Sequence, residues 1–124
     1  MAMVTPVGWP PDLPAPQDPE FGERVVGWLL DRGPAELRTS ALRSQPVVLA
    51  YVIKNHTEAT LAGARSAYAR LRTDLGDVLD PAQIDGALQA LEAEGARLLQ
   101  VRREVDLVVQ ACLAGRAVGW ADPA

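Results

Sequence analysis

The sequence predicts an all-α protein built around a long antiparallel helical hairpin. Residues that favour helix (Ala, Leu, Arg and Glu) prevail, whereas β-branched residues come only in short groups. Apolar residues recur at spacings of three and four over two long stretches, 46–75 and 81–114. Turn and capping signals lie between these stretches, at 76–80, so the two helices are expected to fold back on each other.

A proline-rich segment precedes the helices. Prolines at 6, 10, 11, 14 and 16 block helix and strand pairing and favour an extended arm over residues 1–18. We expect a single helical domain at 19–115 and a C-terminal tail at 116–124. The domain should begin with two short helices. Asp18-Pro19-Glu20 starts the first, Gly33-Pro34 ends it, and the second runs from Pro34 to about Arg43.

The two long helices carry recognisable start and stop signals. Pro46 is tolerated in the first turn of the helix at 46–75, and Gly76 is expected to end that helix as a left-handed C-cap. Asp80 and Gln83 have the spacing of a capping box, which predicts the start of the helix at 81–114. Gly115 is expected to end it.

The last helix carries a heptad pattern that predicts a coiled-coil-like seam. Its members are spaced by four and three residues: Ile84, Leu88, Leu91, Gly95, Leu98, Arg102, Val105, Val109, Cys112 and Arg116. We expect Gly95 to mark a close helix crossing. Facing residues of the hairpin should have numbers that sum to about 157. That register predicts four ion pairs, namely Arg72–Asp85, Arg65–Glu92, Glu58–Arg97 and Lys54–Glu104.

The length of the hairpin predicts a dimer. Helices of this size are about 45 and 50 Å long, whereas a compact domain of 124 residues is only about 35 Å across. We expect a second copy to cover the surplus apolar surface and to complete a four-helix bundle. The predicted interface comprises Ile84, Leu88, Leu91, Leu98, Val105, Val109, Trp9 and Trp120. The alternative is a monomer in which the short helices and the arm pack along the hairpin.

The tripeptide Val-Gly-Trp occurs three times, at 7–9, 26–28 and 118–120. The three surroundings differ, so these copies do not form a structural repeat. Trp28 is expected in the core of the first helix. Trp9 and Trp120 are expected to attach the two chain ends to the domain, although either one would also suit an interface.

The most polar run of the long helices contains the only histidine, His56. One interpretation places Asn55, His56 and Thr60 around a small-ligand pocket between helices. In another, His56 is structural and hydrogen-bonds to Gln100 or Glu104. An enzyme using His56 as acid or base ranks last. A single cysteine and a single histidine do not make a zinc site, so no metal or cofactor is expected, and Cys112 is expected to be an inert buried thiol.

Charge and motifs narrow the function further. A net charge of −4 argues against nucleic-acid binding. The apolar run at 47–53 is far shorter than the ~20 residues of a membrane span, and the N-terminus does not resemble a secretory signal. The sequence therefore predicts a cytoplasmic, non-enzymatic helical dimer that acts through protein–protein contacts as a scaffold or regulatory module. A ligand-binding helical bundle is the alternative.

Overall fold

A computed structural model describes the backbone of residues 5–118 and the side chains of residues 5–115. The described residues form helices and turns without any strand. Helix α1 spans Phe21–Leu30, α2 spans Pro46–Leu75 and α3 spans Pro81–Val118. Two 3₁₀ turns, Ala35–Thr39 and Ala41–Ser44, connect α1 to α2. The prediction of an all-α chain with two long helices packed on each other is confirmed.

The predicted second short α-helix is wrong, because the segment forms the two 3₁₀ turns instead. Pro34 and Ser40 both have extended backbone angles, with ψ of 149° and 150°, and interrupt helical continuity on either side of the first turn. The Ser40 hydroxyl accepts a hydrogen bond from the Leu42 amide at 3.1 Å. Serine side chains that bond to nearby backbone in this way compete with α-helix formation.

The connection between α2 and α3 differs from the prediction at one glycine. Gly76 has right-handed helical angles (φ −61°), so it is not a left-handed C-cap. The amides of Val78 and Leu79 both donate to the Leu75 carbonyl at 3.0 Å and close the turn. The capping box is confirmed: the Gln83 amide donates to Asp80 Oδ1 at 2.9 Å, and the Asp80 amide donates to Gln83 Oε1 at 3.0 Å.

Helix α3 extends beyond its predicted end. It passes through Gly115 to Val118, so residues 116–118 of the expected tail are helical. A glycine permits a left-handed C-cap but does not impose one.

The register of the hairpin is close to the predicted one. Arg72 pairs with Asp85 at 3.5 Å, as expected. Glu58, however, pairs with Arg102 at 3.7 Å, and Lys54 pairs with Asp106 at 3.9 Å, two to five residues further along α3 than predicted. Side chains lean towards the N-terminus of their own helix. In an antiparallel pair this lean moves the meeting points to higher residue numbers on both helices.

The core lies at the base of the hairpin, which we define as residues 46–61 and 98–115. Here α1 and the N-terminal arm cover α2 and α3. The buried cluster consists of Leu13, Phe21, Val25, Trp28, Leu29, Leu30, Leu49, Ala50, Ile53, Val105, Val108, Val109 and Cys112. Trp28 is thus a core residue, as predicted.

Trp9 attaches the arm to this core. Its Nε1 donates to the Leu13 and Pro14 carbonyls, both at 3.2 Å, and its ring lies 5.7 Å from that of Phe21. Just before it, Gly8 adopts φ +86°, a conformation that favours glycine, where the arm passes Leu107. Trp120 lies outside the described residues.

Asp12 provides a second attachment of the arm, to α1 and to Arg32 just after it. Its carboxylate accepts hydrogen bonds from Trp28 Nε1 at 3.0 Å and from Arg32 Nη2 at 3.1 Å. Burial alone would raise the pKa of Asp12. The hydrogen bonds from Trp28 and Arg32, together with the Arg32 charge, outweigh this effect and hold the pKa below its ordinary value of 3.8.

We expect Asp12→Asn to remove part of the acid sensitivity of the fold and to cost about 1 kcal/mol at neutral pH. A lowered folded-state pKa stabilises the protein above the unfolded value, and that contribution is lost as the pH falls through the folded one. The stability difference between wild type and variant should therefore shrink below about pH 4, which urea titrations at several pH values would measure. A difference independent of pH would contradict the role of the Asp12 charge.

No described residue outside the two long helices covers the outer part of the hairpin in this way. We call residues 62–96 the distal hairpin, and within it only Ile84 and Leu88 are buried. Beyond Leu61, no residue of α2 is buried. Within residues 5–115, the distal hairpin is therefore a pair of helices that pack on each other alone.

Candidate functional site: a pocket around His56

A cavity of about 200 Å³ opens where the end of α1 meets α2 and α3. It lies at the upper edge of the base, next to the distal hairpin. The lining residues are Asp31, Arg32, Gly33, His56, Thr57, Thr60, Arg97, Leu98 and Val101. Two guanidinium groups, an imidazole and two hydroxyls thus meet an apolar wall of Leu98 and Val101.

Gly33 brings the end of α1 against α2. A methyl group added at Gly33 would overlap Cδ1 of Ile53 and lie 3.3 Å from Cδ1 of Leu37. Ile53 is fully buried, so its side chain has little room to move away. The absence of a side chain at residue 33 therefore allows the close approach that forms this side of the pocket.

We expect Gly33→Ala to lower the free energy of unfolding by about 1–3 kcal/mol through overpacking. Gly27→Ala is the matched control on the same segment, since a methyl group at Gly27 would have no atom within 4 Å. This control should be neutral or gain about 0.5–1 kcal/mol because alanine favours helix. Chemical denaturation of both variants measures the contrast, and equal stabilities would contradict the close packing at Gly33.

Arg32 is fixed in place by three contacts. Its guanidinium stacks on the Trp28 ring at 3.7 Å, donates to the Trp28 carbonyl at 2.9 Å and pairs with Asp12 at 3.1 Å. Its side chain is only 19% exposed. A guanidinium held against an aromatic ring loses little further freedom when it binds an anion.

Arg97 approaches from α3 and is oriented by Glu94, one turn earlier. Nε and Nη2 of Arg97 both donate to the Glu94 carboxylate. This hydrogen-bonded pair raises the pKa of Arg97 and lowers the pKa of Glu94 from their ordinary values. The Arg97 side chain is still 60% exposed, and its Nη1 makes no hydrogen bond among the described residues.

The α2 side of the pocket carries the histidine and two threonines. Thr57 is buried and donates to the Ile53 carbonyl at 2.8 Å, and Thr60 donates to the His56 carbonyl at 2.8 Å. Within the described part of the chain, the His56 ring makes no hydrogen bond. Gln100 and Glu104, its expected partners, bond to each other at 3.2 Å. The predicted hydrogen bond between His56 and Gln100 or Glu104 is therefore wrong.

The structure brings together two of the three predicted ligand-site residues. His56 and Thr60 line the pocket, whereas Asn55 is exposed and donates to the Tyr51 carbonyl at 2.9 Å. Arg32 and Arg97, which sequence reasoning did not include, come from other elements. Only the position of α1 against the hairpin identifies them.

The predicted interface residues of α3 lie largely inside one molecule. Ile84, Leu88, Leu98, Val105 and Val109 are all less than 10% exposed, and Leu91 is half-buried. Their apolar surface faces this chain's own α2 and core. Of these six residues, Leu91 keeps the most surface for contact with a second copy.

Among the described residues, neither Cys112 nor a metal-binding cluster forms a second site. Burial raises the pKa of the Cys112 thiol to about 12, which keeps it protonated and unreactive. Among the described residues, no group of three or more His, Cys, Asp or Glu side chains is placed to hold a metal ion. Within that same part of the chain, no helix combines the length and the hydrophobicity needed to cross a membrane.

Comparisons of the chain with protein-family models, with curated proteins and with solved structures gave no match.

Proposed function

We propose that the protein is a non-enzymatic interaction module that forms a homodimer through its distal hairpin. The observation that carries this proposal is a groove between α2 and α3, of about 270 Å³, lined by Ala64, Arg65, Tyr68, Leu91, Glu92 and Gly95. The sequence interpretation of Gly95 as a tight helix crossing is wrong. A methyl group there would have no atom within 4 Å, so the floor of the groove is open.

The apolar part of the groove favours a protein partner. Tyr68 is 42% exposed at its rim, and Leu75 and Val78 are exposed further along the same hairpin. Burial of apolar surface contributes about 25 cal/mol per Å². Two isolated helices expose more of this surface than a four-helix bundle does.

The charges around the groove suit a second copy of the same chain. The outer part of α2 carries Arg65, Arg70 and Arg72 without an acid before Asp74, whereas α3 carries Asp85, Glu92 and Glu94 before its first base, Arg97. One helix of the distal hairpin is thus basic and the other acidic. A two-fold axis along the hairpin would place α2 of each copy against α3 of the other.

Arg65 and Glu92 are the pair on which this arrangement depends. They line the same groove, yet Arg65 forms no ion pair among the described residues, and Glu92 accepts a hydrogen bond from the Tyr68 hydroxyl at 3.4 Å. In the two-fold dimer, Arg65 of each copy lies opposite Glu92 of the other. The same contact is made twice, which is the property of a self-complementary interface.

Light scattering after gel filtration at micromolar concentration tests the dimer, with an expected mass of twice 13.3 kDa. Gly95→Leu should give a folded monomer, because a Cβ at residue 95 meets no atom within 4 Å, leucine favours helix and its side chain occupies the groove. A wild-type monomer at every concentration, or a dimer that survives Gly95→Leu, would contradict the proposal.

A charge exchange tests the geometry of the interface. Arg65→Glu should weaken association, and the double variant Arg65→Glu/Glu92→Arg should restore it, because opposite charges again face each other across the two-fold axis. Arg43→Glu is the matched control, since Arg43 is exposed on the second 3₁₀ turn, outside the hairpin. If the double variant associated as weakly as Arg65→Glu does, Arg65 and Glu92 would not face each other in the interface.

A further inference from the structure

The pocket around His56 brings two guanidinium groups together in a protein with a net charge of −4. Arg32, Arg97 and His56 line it, and Asp31 is the only acidic residue among its described lining residues. The Asp31 carboxylate is engaged elsewhere, since it accepts a hydrogen bond from Arg38 at 2.8 Å. Arg32 and Arg97 pair in turn with Asp12 and Glu94, which do not line the pocket, so the two guanidinium groups offer a ligand their remaining N–H donors.

We infer that this pocket binds a short-chain carboxylate, with the carboxylate between Arg32 and Arg97 and the hydrocarbon chain against Leu98 and Val101. Guanidinium groups bind carboxylates through paired, charge-assisted hydrogen bonds. Both arginines keep N–H groups that make no hydrogen bond among the described residues. Arg32 donates one N–H to the Trp28 carbonyl and one to Asp12, and Arg97 donates from Nε and Nη2 to Glu94.

The dimensions of the pocket limit the ligand. Its volume of about 200 Å³ is below the ~300–1,000 Å³ of pockets for drug-sized molecules. It therefore suits a fragment-sized anion. Thr57 and Thr60 already donate their hydroxyl protons to backbone carbonyls, so each presents an oxygen that accepts rather than donates. The anion consequently depends on the arginines and on the His56 ring, which has no other hydrogen-bond partner among the described residues.

The inference does not depend on the dimer. The pocket lies at the end of α1, whereas the proposed interface lies on the distal hairpin, and the two share no lining residue. Loss of one activity would leave the other measurable.

A titration of the ¹⁵N-labelled full-length protein with sodium butyrate tests this site, with sodium chloride at equal ionic strength as the reference. Saturable amide shifts are expected at Gly33, Thr57 and Thr60. Arg97→Gln should weaken binding about tenfold through the loss of a charge-assisted hydrogen bond. Arg103→Gln is the matched control, since Arg103 lies on the same helix, is exposed and bonds to Gln100 outside the pocket.

Three results would overturn the inference. Sodium chloride could produce the same shifts, which would show a general ionic effect. Both variants could weaken binding equally, which would place the anion elsewhere. Inorganic phosphate could produce the shifts while butyrate does not, which would exclude the role given to the hydrocarbon chain.

Discussion

Trp28→Ala is expected to lower the free energy of unfolding by about 3–5 kcal/mol. The Trp28 side chain is 5% exposed and belongs to the buried cluster at the base of the hairpin. Its Nε1 donates to Asp12, and its ring supports the Arg32 guanidinium at 3.7 Å. The substitution therefore removes apolar burial, a hydrogen bond to the arm and the platform of a pocket arginine together. Urea unfolding followed by circular dichroism measures the loss.

Trp28→Phe separates these contributions. Phenylalanine keeps most of the apolar area but cannot donate to Asp12, so we expect a loss of about 1–2 kcal/mol. If Trp28→Phe were as destabilising as Trp28→Ala, attachment of the arm would dominate over core burial, contrary to our assignment. Trp28→Ala should also weaken butyrate binding in the protein that remains folded, because Arg32 is no longer held in position.

The sequence predicted the long elements well because their signals are local. The helix at 46–75 was predicted with the bounds that the structure shows, and the capping box of Asp80 and Gln83 starts α3. Both signals act within one or two turns of helix. For the segment after Pro34, the prediction of an α-helix was wrong. Its composition suits a helix, but the extended backbone of Pro34 and Ser40 divides it into short turns.

The heptad pattern of α3 predicts which residues are buried but not which helix buries them. The heptad pattern identified Ile84, Leu88, Leu98, Val105 and Val109, all of which are buried. It could not decide whether they face the same chain or a second copy, because both partners are apolar helices. The dimer was predicted from helix length on the assumption that little of this chain would cover the hairpin. The N-terminal arm covers the base of the hairpin, where Asp12 bonds to Trp28 and Arg32.

The candidate pocket could be predicted only in part. The polar run around His56 in an apolar helix identified His56 and Thr60. The arginines come from 24 residues earlier and 41 residues later in the chain, at Arg32 and Arg97. No local spacing connects them to the histidine. Their convergence depends on the crossing of α1 over the hairpin, which Gly33 permits.

Leu61→Ala is expected to cost about 2–5 kcal/mol, whereas Leu75→Ala should cost less than about 1 kcal/mol. Leu61 is 1% exposed and is the last buried residue of α2, while Leu75 is 40% exposed near the turn. The two substitutions delete the same atoms from the same helix, so their difference measures how far the core extends along the hairpin. Denaturation of both variants in the monomeric Gly95→Leu background keeps dimer contacts out of the comparison.

The comparison in the wild-type background then tests the distal hairpin in solution. If the uncovered helices pair with a second copy, destabilisation by substitutions in the groove should grow with protein concentration, because unfolding is coupled to dissociation. Destabilisation by Leu61→Ala should stay constant, since Leu61 is satisfied within one chain. Equal costs for Leu61→Ala and Leu75→Ala in the Gly95→Leu monomer would show that the turn end is packed by its own chain. The distal hairpin would then have no spare surface to offer a partner.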